Sequence, residues 1–299
     1  MFIGIDLGGT KIEGIAMSGA GDELLRKRVP TAAGDYQAIL NTIKGLVDEI
    51  ESSLNERATV GIGTPGAISP ATGLLRNSNS VCMNGKPVDK DLARILNREV
   101  RIANDANCFA LSEATDGAAA GETVVFGVII GTGTGAGIVV NGHVLSGPNA
   151  IAGEWGHNPL PWPLDNERPG PSCYCGKHGC IETWLSGPGM SHDYLELSGN
   201  ALDAKQVVEL ASNGDNAAEL CLRNYEHRMA RSLAHVINIL DPDVIVLGGG
   251  MGNIQRLYSS VPGLWGQYVF SDRVDTRLLA PKYGDSSGVR GAAWLWNEN

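Results

Sequence analysis

Three cysteines close together carry the most specific chemical signal in this sequence. Cys173, Cys175 and Cys180 fall within eight residues. Thiolates at this spacing are ligands that zinc prefers, and a fourth nitrogen or sulfur donor would complete a tetrahedral site. His157 and His178 are the candidates for that donor. We prefer His157, because the ring of His178 would have to turn back on the backbone of its own loop.

A site with four protein ligands has no open position, so zinc there would be structural. The competing interpretation is three unconnected buried cysteines. A metal would hold an irregular segment, residues 147–180, that carries five prolines between Pro159 and Pro171. A segment of this length without regular structure needs something to hold it.

Asn104 and Asp105 follow a predicted strand and stand where a helix begins. In one interpretation Asp105 only caps that helix. In the other, Asp105 accepts a proton from a substrate hydroxyl that Asn104 positions. An aspartate that orients the attacking group recurs among kinases.

Two further carboxylates flank the cysteine segment. Glu154 lies three residues before His157, and Glu182 lies two residues after Cys180. We expect them to hold sugar hydroxyls; the alternative is that they are solvated surface groups. If His157 binds zinc through one ring nitrogen, the other is available to a neighbouring group or a substrate hydroxyl.

Three glycine-rich turns each follow a predicted strand. Exposed backbone N–H groups in such turns can receive phosphate oxygens, and the third turn would let a nucleotide base or ribose approach the backbone. Each turn alone is explained as an ordinary tight connection, but the three together favour a nucleotide site. The predicted contacts are Gly8, Gly9, Thr10 and Lys11 in the first turn, Gly131, Thr132 and Gly133 in the second, and Gly248, Gly249 and Gly250 in the third.

Strands and helices that alternate along the chain predict an α/β fold with a mostly parallel sheet. The strand–turn–strand pattern of Phe2–Ala16 recurs at Thr123–Asn141, which suggests two related domains facing a cleft. Predicted strands are Phe2–Asp6, Lys11–Ala16, Thr59–Gly63, Val100–Ala103, Thr123–Ile130, Ile138–Asn141 and Asp243–Leu247. Predicted helices are Tyr36–Leu54, Asp89–Asn97, Ala106–Ala114, Asn216–Leu240 and Ser286–Trp296.

The composition of the 299 residues is that of a globular protein, with 43% hydrophobic and 19% charged residues. The net charge of −10 and the absence of a Lys/Arg-rich run argue against a nucleic-acid surface. Neither a leader sequence nor an apolar run long enough for a membrane helix stands out, so we expect a cytoplasmic protein.

Taken together, the motifs resemble those of the ROK family of sugar kinases, repressors and open reading frames. The likeness runs in order from residue 3 to about residue 293. The matching stretches are residues 6–11, 104–107, 131–135, 152–157, 173–182 and 248–250. Residues 77–80, 83–87 and 284–296 look like those of bacterial manno(fructo)kinases.

The resemblance implies an actin-like (ribonuclease H-like) α/β fold of two domains around a cleft, and a homodimer. Residues 1–115 with 286–299 would form a small N-terminal domain to which the last helix returns. Residues 116–285 would form a large domain with the zinc loop. ATP with Mg²⁺ would lie on the glycine turns, with Asp6 near the metal–phosphate end.

The resemblance also assigns roles at the site. Asp105 would be the general base. The hexose would be bound by Asn104, Asp105, Glu154, His157 and Glu182, and Zn²⁺ by His157, Cys173, Cys175 and Cys180.

The sequence therefore predicts ATP-dependent phosphorylation of fructose or mannose at the 6-hydroxyl. A glucokinase or an N-acetylhexosamine kinase is the alternative, and these differ in how the pocket pairs or rejects the C2 substituent. A sugar-sensing repressor is a distant alternative. The strand predicted from Phe2 leaves no room for a preceding helix-turn-helix, and the negative charge opposes DNA binding.

Overall fold

The computed structural model describes residues 1–297, and it divides the chain into two units. The first unit comprises Met1–Gly121, Gly137–Ala152 and Lys282–Asn299, and the second comprises Glu122–Ala136 and Gly153–Pro281. These bounds differ from the predicted ones chiefly because residues 137–152 group with the first unit. Residues 298–299 of the predicted small domain lie outside the described residues. The predicted division into domains stays a prediction.

The first unit is built on a five-stranded sheet. Its strands are β1 (Phe2–Leu7), β2 (Lys11–Met17), β3 (Glu23–Pro30), β4 (Thr59–Thr64) and β7 (Val100–Asn104), in the order β3-β2-β1-β4-β7. Strands β1 and β4 run parallel with Asp6 beside Gly63, and β4 and β7 run parallel with Thr64 beside Asn104. The carboxyl ends of β1, β4 and β7 therefore meet at one edge of the sheet. A separate two-stranded sheet pairs β5 (Ala67–Ile68) with β6 (Leu75–Arg76).

Four helices of the first unit complete its core. They are α1 (Tyr36–Leu54), α2 (Val88–Leu96), α3 (Asp105–Thr115) and α9 (Ser287–Trp294). Helix α9 packs directly on β1 and β4, which explains two glycines in those strands. A methyl group at Gly4 would lie 2.0 Å from the carbonyl oxygen of Val289, and one at Gly61 would lie 1.9 Å from that of Ala292.

The second sheet also has five strands. They are β8 (Val124–Ile130), β9 (Thr134–Val140), β10 (His143–Val144), β11 (Val244–Gly248) and β12 (Arg277–Leu279). Their order is β10-β9-β8-β11-β12, in which β8, β11 and β12 run parallel. The helices of the second unit are α4 (Ile181–Leu185), α5 (Gly187–Ser198), α6 (Ala204–Ser212), α7 (Asn216–Leu240) and α8 (Leu257–Trp265). The residues of β11 are all buried, as expected for a central parallel strand.

The predicted α/β class is confirmed. Helices α1 and α7 begin and end at the predicted residues, and the predicted strands of the first sheet agree within a residue. The sequence did not predict β3, whose residues are half-buried or exposed, or helices α4 to α6. None of the helices among residues 1–297 combines the length and the apolar character that a bilayer crossing requires.

Candidate active site

Asp105 stands at the point where β7 ends and α3 begins. The side chain of Asn104 caps this helix by accepting the N–H of Ala106 at 2.9 Å, and its amide nitrogen donates to the carbonyl oxygen of Gly66 at 3.2 Å. Asp105 Oδ1 also accepts the N–H of Ala106, at 2.8 Å. The capping position thus belongs to Asn104, and Asp105 lies in the first turn, where the helix dipole favours a carboxylate.

A second carboxylate, Asp6, lies at the end of β1 on the same edge of the sheet. Its pKa is raised to about 6, chiefly by burial and next by the charges of Asp105 and Glu13, against the opposing charge of Lys11. Burial and neighbouring negative charge both disfavour the ionised form of this carboxylate. The position of Asp6 near a metal–phosphate group stays a prediction.

The first glycine turn connects β1 to β2 next to Asp6. The N–H of Gly8 donates to the carbonyl oxygen of Lys11 at 3.0 Å, and the hydroxyl of Thr31 donates to the carbonyl oxygen of Gly8 at 2.8 Å. Gly9, Thr10 and Lys11 are exposed. The turn therefore has a fixed backbone whose outer residues are open to a ligand.

A cavity of about 760 Å³ in the second unit contains parts of the other two glycine turns. Gly131, Thr132 and Gly250 line it, whereas Gly133, Gly248 and Gly249 do not. The volume suits a nucleoside-sized ligand. The remaining lining residues were not predicted: Gly187, Pro188 and Ser191 of α5, Asp203, Ala204, Lys205, Val208 and Glu209 at α6, and Met251, Asn253 and Ile254.

Gly249 shapes the third turn rather than the cavity wall. Its φ is +78°, and a methyl group there would lie 2.4 Å from the carbonyl oxygen of Ile130. Both the left-handed backbone and the close approach of β8 require glycine. Of the three predicted contacts in this turn, only Gly250 lines the cavity, and ligand contact by Gly248, Gly249 and Gly250 stays a prediction.

The four predicted zinc ligands come together in the second unit. The ligand atoms of His157, Cys173, Cys175 and Cys180 all lie within 4.8 Å of one another. The sulfurs of Cys175 and Cys180 are 3.6 Å apart, and Cys173 Sγ is 3.6 Å from His157 Nδ1. A tetrahedral site with Zn–S bonds of about 2.3 Å has ligand separations of about 3.7 Å, so the donor set fits zinc.

The surroundings of the cluster distinguish its two candidate histidines. His178 Nδ1 lies 3.4 Å from Ser172 Oγ, outside the cluster. His157 directs Nδ1 toward Cys173, and its Nε2 hydrogen bonds with the hydroxyl of Tyr174 at 2.8 Å. If zinc binds Nδ1 of His157, the other ring nitrogen, Nε2, is hydrogen bonded to Tyr174. The sequence did not predict this partner.

Besides the cysteine cluster, a buried carboxylate that pairs with two arginines holds the proline-rich segment in place. Glu167 accepts hydrogen bonds from Arg228 at 2.9 Å and from Arg231 at 2.8 Å, and all three side chains are buried. Burial by itself raises the pKa of Glu167, but the bonds from Arg231, from the N–H of Leu164 and from Arg228 outweigh it and lower the pKa to about 2. The segment is thus held to α7 independently of the cysteines.

The two predicted sugar-contacting carboxylates lie in different surroundings. Glu154 is exposed and precedes the short turn that carries His157. Glu182 is half-buried, and its Oε2 accepts the backbone N–H of Thr134 at 2.8 Å. Glu182 therefore contacts the second glycine turn, which the sequence did not predict.

Gly156 gives a test of how tightly this region is packed. A methyl group there would lie 2.1 Å from the carbonyl oxygen of Thr134, so Gly156→Ala must displace the backbone. We expect a loss of about 1–3 kcal/mol in the free energy of unfolding, measured by urea denaturation. Gly263→Ala is the matched control, because nothing lies within 4 Å of its added methyl group. Equal stability of the two variants would contradict the packing described here.

The chain matches known proteins over nearly its full length. The model of the ROK family matches residues 2–299. An N-acetyl-D-glucosamine kinase of Vibrio atlanticus is 38% identical, and one of Photobacterium profundum is 39% identical, each over 99% of both chains.

Solved structures confirm the predicted actin-like α/β fold. The ROK hexokinase from Thermus thermophilus has a TM-score of 0.87 at 30% identity, covering 98% of this chain and 96% of that chain. A ROK glucokinase from Streptomyces griseus, in complex with glucose and AMPPNP, has a TM-score of 0.79 at 23% identity and covers 100% of this chain and 99% of that chain. At that identity the second likeness shows the fold alone.

Proposed function

Because this chain belongs to the ROK family and is a sugar kinase, we propose that its substrate is an N-acetylhexosamine, specifically N-acetyl-D-glucosamine, phosphorylated by ATP at the 6-hydroxyl. The observation that carries the proposal is the identity of 38–39% over 99% of both chains to kinases named for that sugar. The relatives thus favour the alternative prediction of an N-acetylhexosamine kinase. They give no support to the main prediction of fructose or mannose.

In the proposed reaction, the Asp105 carboxylate takes the proton from the 6-hydroxyl as that oxygen attacks the γ-phosphorus. The bond between the γ-phosphorus and the bridging oxygen of ADP breaks, and ADP leaves. Two observations support Asp105 as the base: the cap of α3 is supplied by Asn104, and the helix start favours the ionised carboxylate. General-base catalysis of this kind contributes about 10²–10⁴-fold.

We propose that the cavity beside Gly131, Thr132 and Gly250 holds the nucleoside part of ATP. Its apolar residues, such as Met251 and Ile254, would pack on the base. Mg²⁺ would neutralise phosphate charge, and Asp6, at the end of β1 beside the first glycine turn, is the carboxylate that we propose lies near it. Glu154, His157 and Glu182 remain predicted contacts of the sugar hydroxyls, and for His157 this contact would replace the hydrogen bond between Nε2 and Tyr174.

We further propose that the cluster of His157 and three cysteines binds a structural zinc ion. The number and type of donors and their separations of 3.6 Å support this. Zinc would fix the bend of residues 173–180 and the ring of His157. A homodimer also remains a prediction.

The proposed substrate is tested by measuring kcat/KM with Mg²⁺ and ATP in a coupled ADP-release assay. The panel is N-acetylglucosamine, N-acetylmannosamine, glucose, mannose and fructose. We expect N-acetylglucosamine to exceed glucose by about tenfold or more, because a pocket built to hydrogen-bond the acetamido group leaves polar groups unpaired with a hydroxyl. A higher kcat/KM for fructose or mannose than for N-acetylglucosamine would contradict the proposal and support the prediction of a fructokinase or mannokinase.

A further inference from the structure

We propose that Glu182 is a positioning residue that holds the second glycine turn in the shape that receives the phosphates of the nucleotide. The inference rests on the proposed function in one respect, since it takes residues 131–133 as a phosphate contact. It assigns Glu182 a role in nucleotide binding that is separate from any contact with the sugar.

The carboxylate of Glu182 is bound directly to the end of this turn. Its Oε2 accepts the N–H of Thr134 at 2.8 Å, and a methyl group on Gly133 would lie 2.8 Å from the same oxygen. A side chain at position 133 would therefore push the carboxylate away from the N–H of Thr134. A hydrogen bond to an ionised acceptor is about twice as strong as a neutral one, so this contact is suited to fixing a short loop.

The start of the turn is held by the same part of the chain. The N–H of Gly187, at the start of α5, donates to the carbonyl oxygen of Gly131 at 2.8 Å. The turn closes on itself through a bond from the N–H of Gly131 to the carbonyl oxygen of Gly133, at 2.9 Å. Residues 182–187 thus hold both ends of the turn.

The middle of the turn is open, because Thr132 and Gly133 are exposed. Exposed N–H groups bind a phosphate well only when the backbone already points them at it. Without the hydrogen bond between Glu182 and Thr134, only the bond between Gly187 and Gly131 would hold the turn to residues 182–187. Nucleotide affinity should therefore depend on Glu182 even when no sugar is present.

The test is calorimetric titration of the purified full-length protein with AMP-PNP and Mg²⁺ in the absence of sugar. We expect Glu182→Ala to bind about tenfold more weakly than wild type, the loss expected for one charge-assisted hydrogen bond. Glu182→Gln should bind within about threefold of wild type, because its amide oxygen can still accept the N–H of Thr134. Glu196→Ala is the matched control, since Glu196 is exposed on α5 and lies outside the turn and the cavity, and it should bind AMP-PNP as wild type does.

The outcomes separate this inference from the proposed function. If the wild-type protein does not bind AMP-PNP, the proposed function fails and this inference fails with it. If wild type and Glu182→Ala bind equally, this inference alone is wrong. Equal weakening in Glu182→Ala and Glu182→Gln would assign the effect to charge and overturn the role of the hydrogen bond.

Folding and metal content are measured on the same samples. Glu182→Ala should keep the thermal midpoint and the zinc content of wild type. If it does not fold, Glu182→Asp replaces it in the comparison, because it keeps the charge but is one methylene too short for Thr134. Wild-type affinity in a folded Glu182→Asp would overturn the inference.

Discussion

Replacing Asp105 by asparagine should lower kcat by about 10²-fold or more, because the amide cannot take the proton from the attacking hydroxyl. The side chains are nearly the same size, and the cap of α3 is supplied by Asn104, so the fold should be retained. Steady-state kinetics with saturating N-acetylglucosamine and ATP give kcat. Calorimetric titration with AMP-PNP should give wild-type affinity.

The matched control is Asp35→Asn. Asp35 is the cap of α1, where its Oδ1 accepts the N–H of Ala38 at 3.0 Å, and asparagine is also a good cap. This variant makes the same chemical change at the start of another helix and should keep wild-type kcat. If Asp105→Asn also keeps nearly wild-type kcat, Asp105 is not the base.

The second large effect concerns the cysteine cluster. Cys175→Ser should lower the zinc content from about one ion per chain to near zero, since serine is a poor zinc ligand. Cys175 is exposed, so the substitution removes a ligand without opening a hole in the core. Plasma emission spectrometry measures the metal, and Cys82→Ser, which alters a cysteine outside the cluster, is the control.

The consequence of metal loss should be local. Backbone hydrogen bonds inside the loop, such as that from the N–H of Cys173 to the carbonyl oxygen of Lys177, should exchange faster with deuterium. The segment around Glu167 should keep its protection, because Arg228 and Arg231 hold it. We also expect a higher KM for the sugar. Full zinc content in Cys175→Ser, or uniform loss of protection through residues 153–180, would contradict this account.

The sequence predicted the elements whose burial leaves a pattern. Ile39, Ile43 and Ile50 mark the buried face of α1, and their spacing predicted a helix over this segment. Strand β3 was missed because its exposed and half-buried positions include charged residues such as Arg26 and Arg28, which show no apolar alternation. Helix α5 begins with Gly187 and Pro188, which are typical of a turn.

The parts of the candidate site that could be predicted from the sequence are those that depend on residue type. The residue types and their spacing were enough to predict that His157 lies beside the three cysteines, because histidine and cysteine are the side chains that zinc prefers as ligands. Contacts between distant segments left no such signal. Nothing in the sequence links Glu182 to the N–H of Thr134, since a backbone donor is the same at every residue other than proline. The cavity residues of α6 were missed for a related reason, because Asp203 and Lys205 look like ordinary surface residues.

We propose that this protein transfers the terminal phosphate of ATP to the 6-hydroxyl of N-acetyl-D-glucosamine. Nuclear magnetic resonance of the products, after incubation of wild-type protein with Mg²⁺, ATP and that sugar, tests it most directly. We expect equal amounts of ADP and of a sugar phosphomonoester. The phosphorus of that ester should couple to the two protons on C6. Recovery of the unmodified sugar, or of a phosphate on another carbon, would contradict the account.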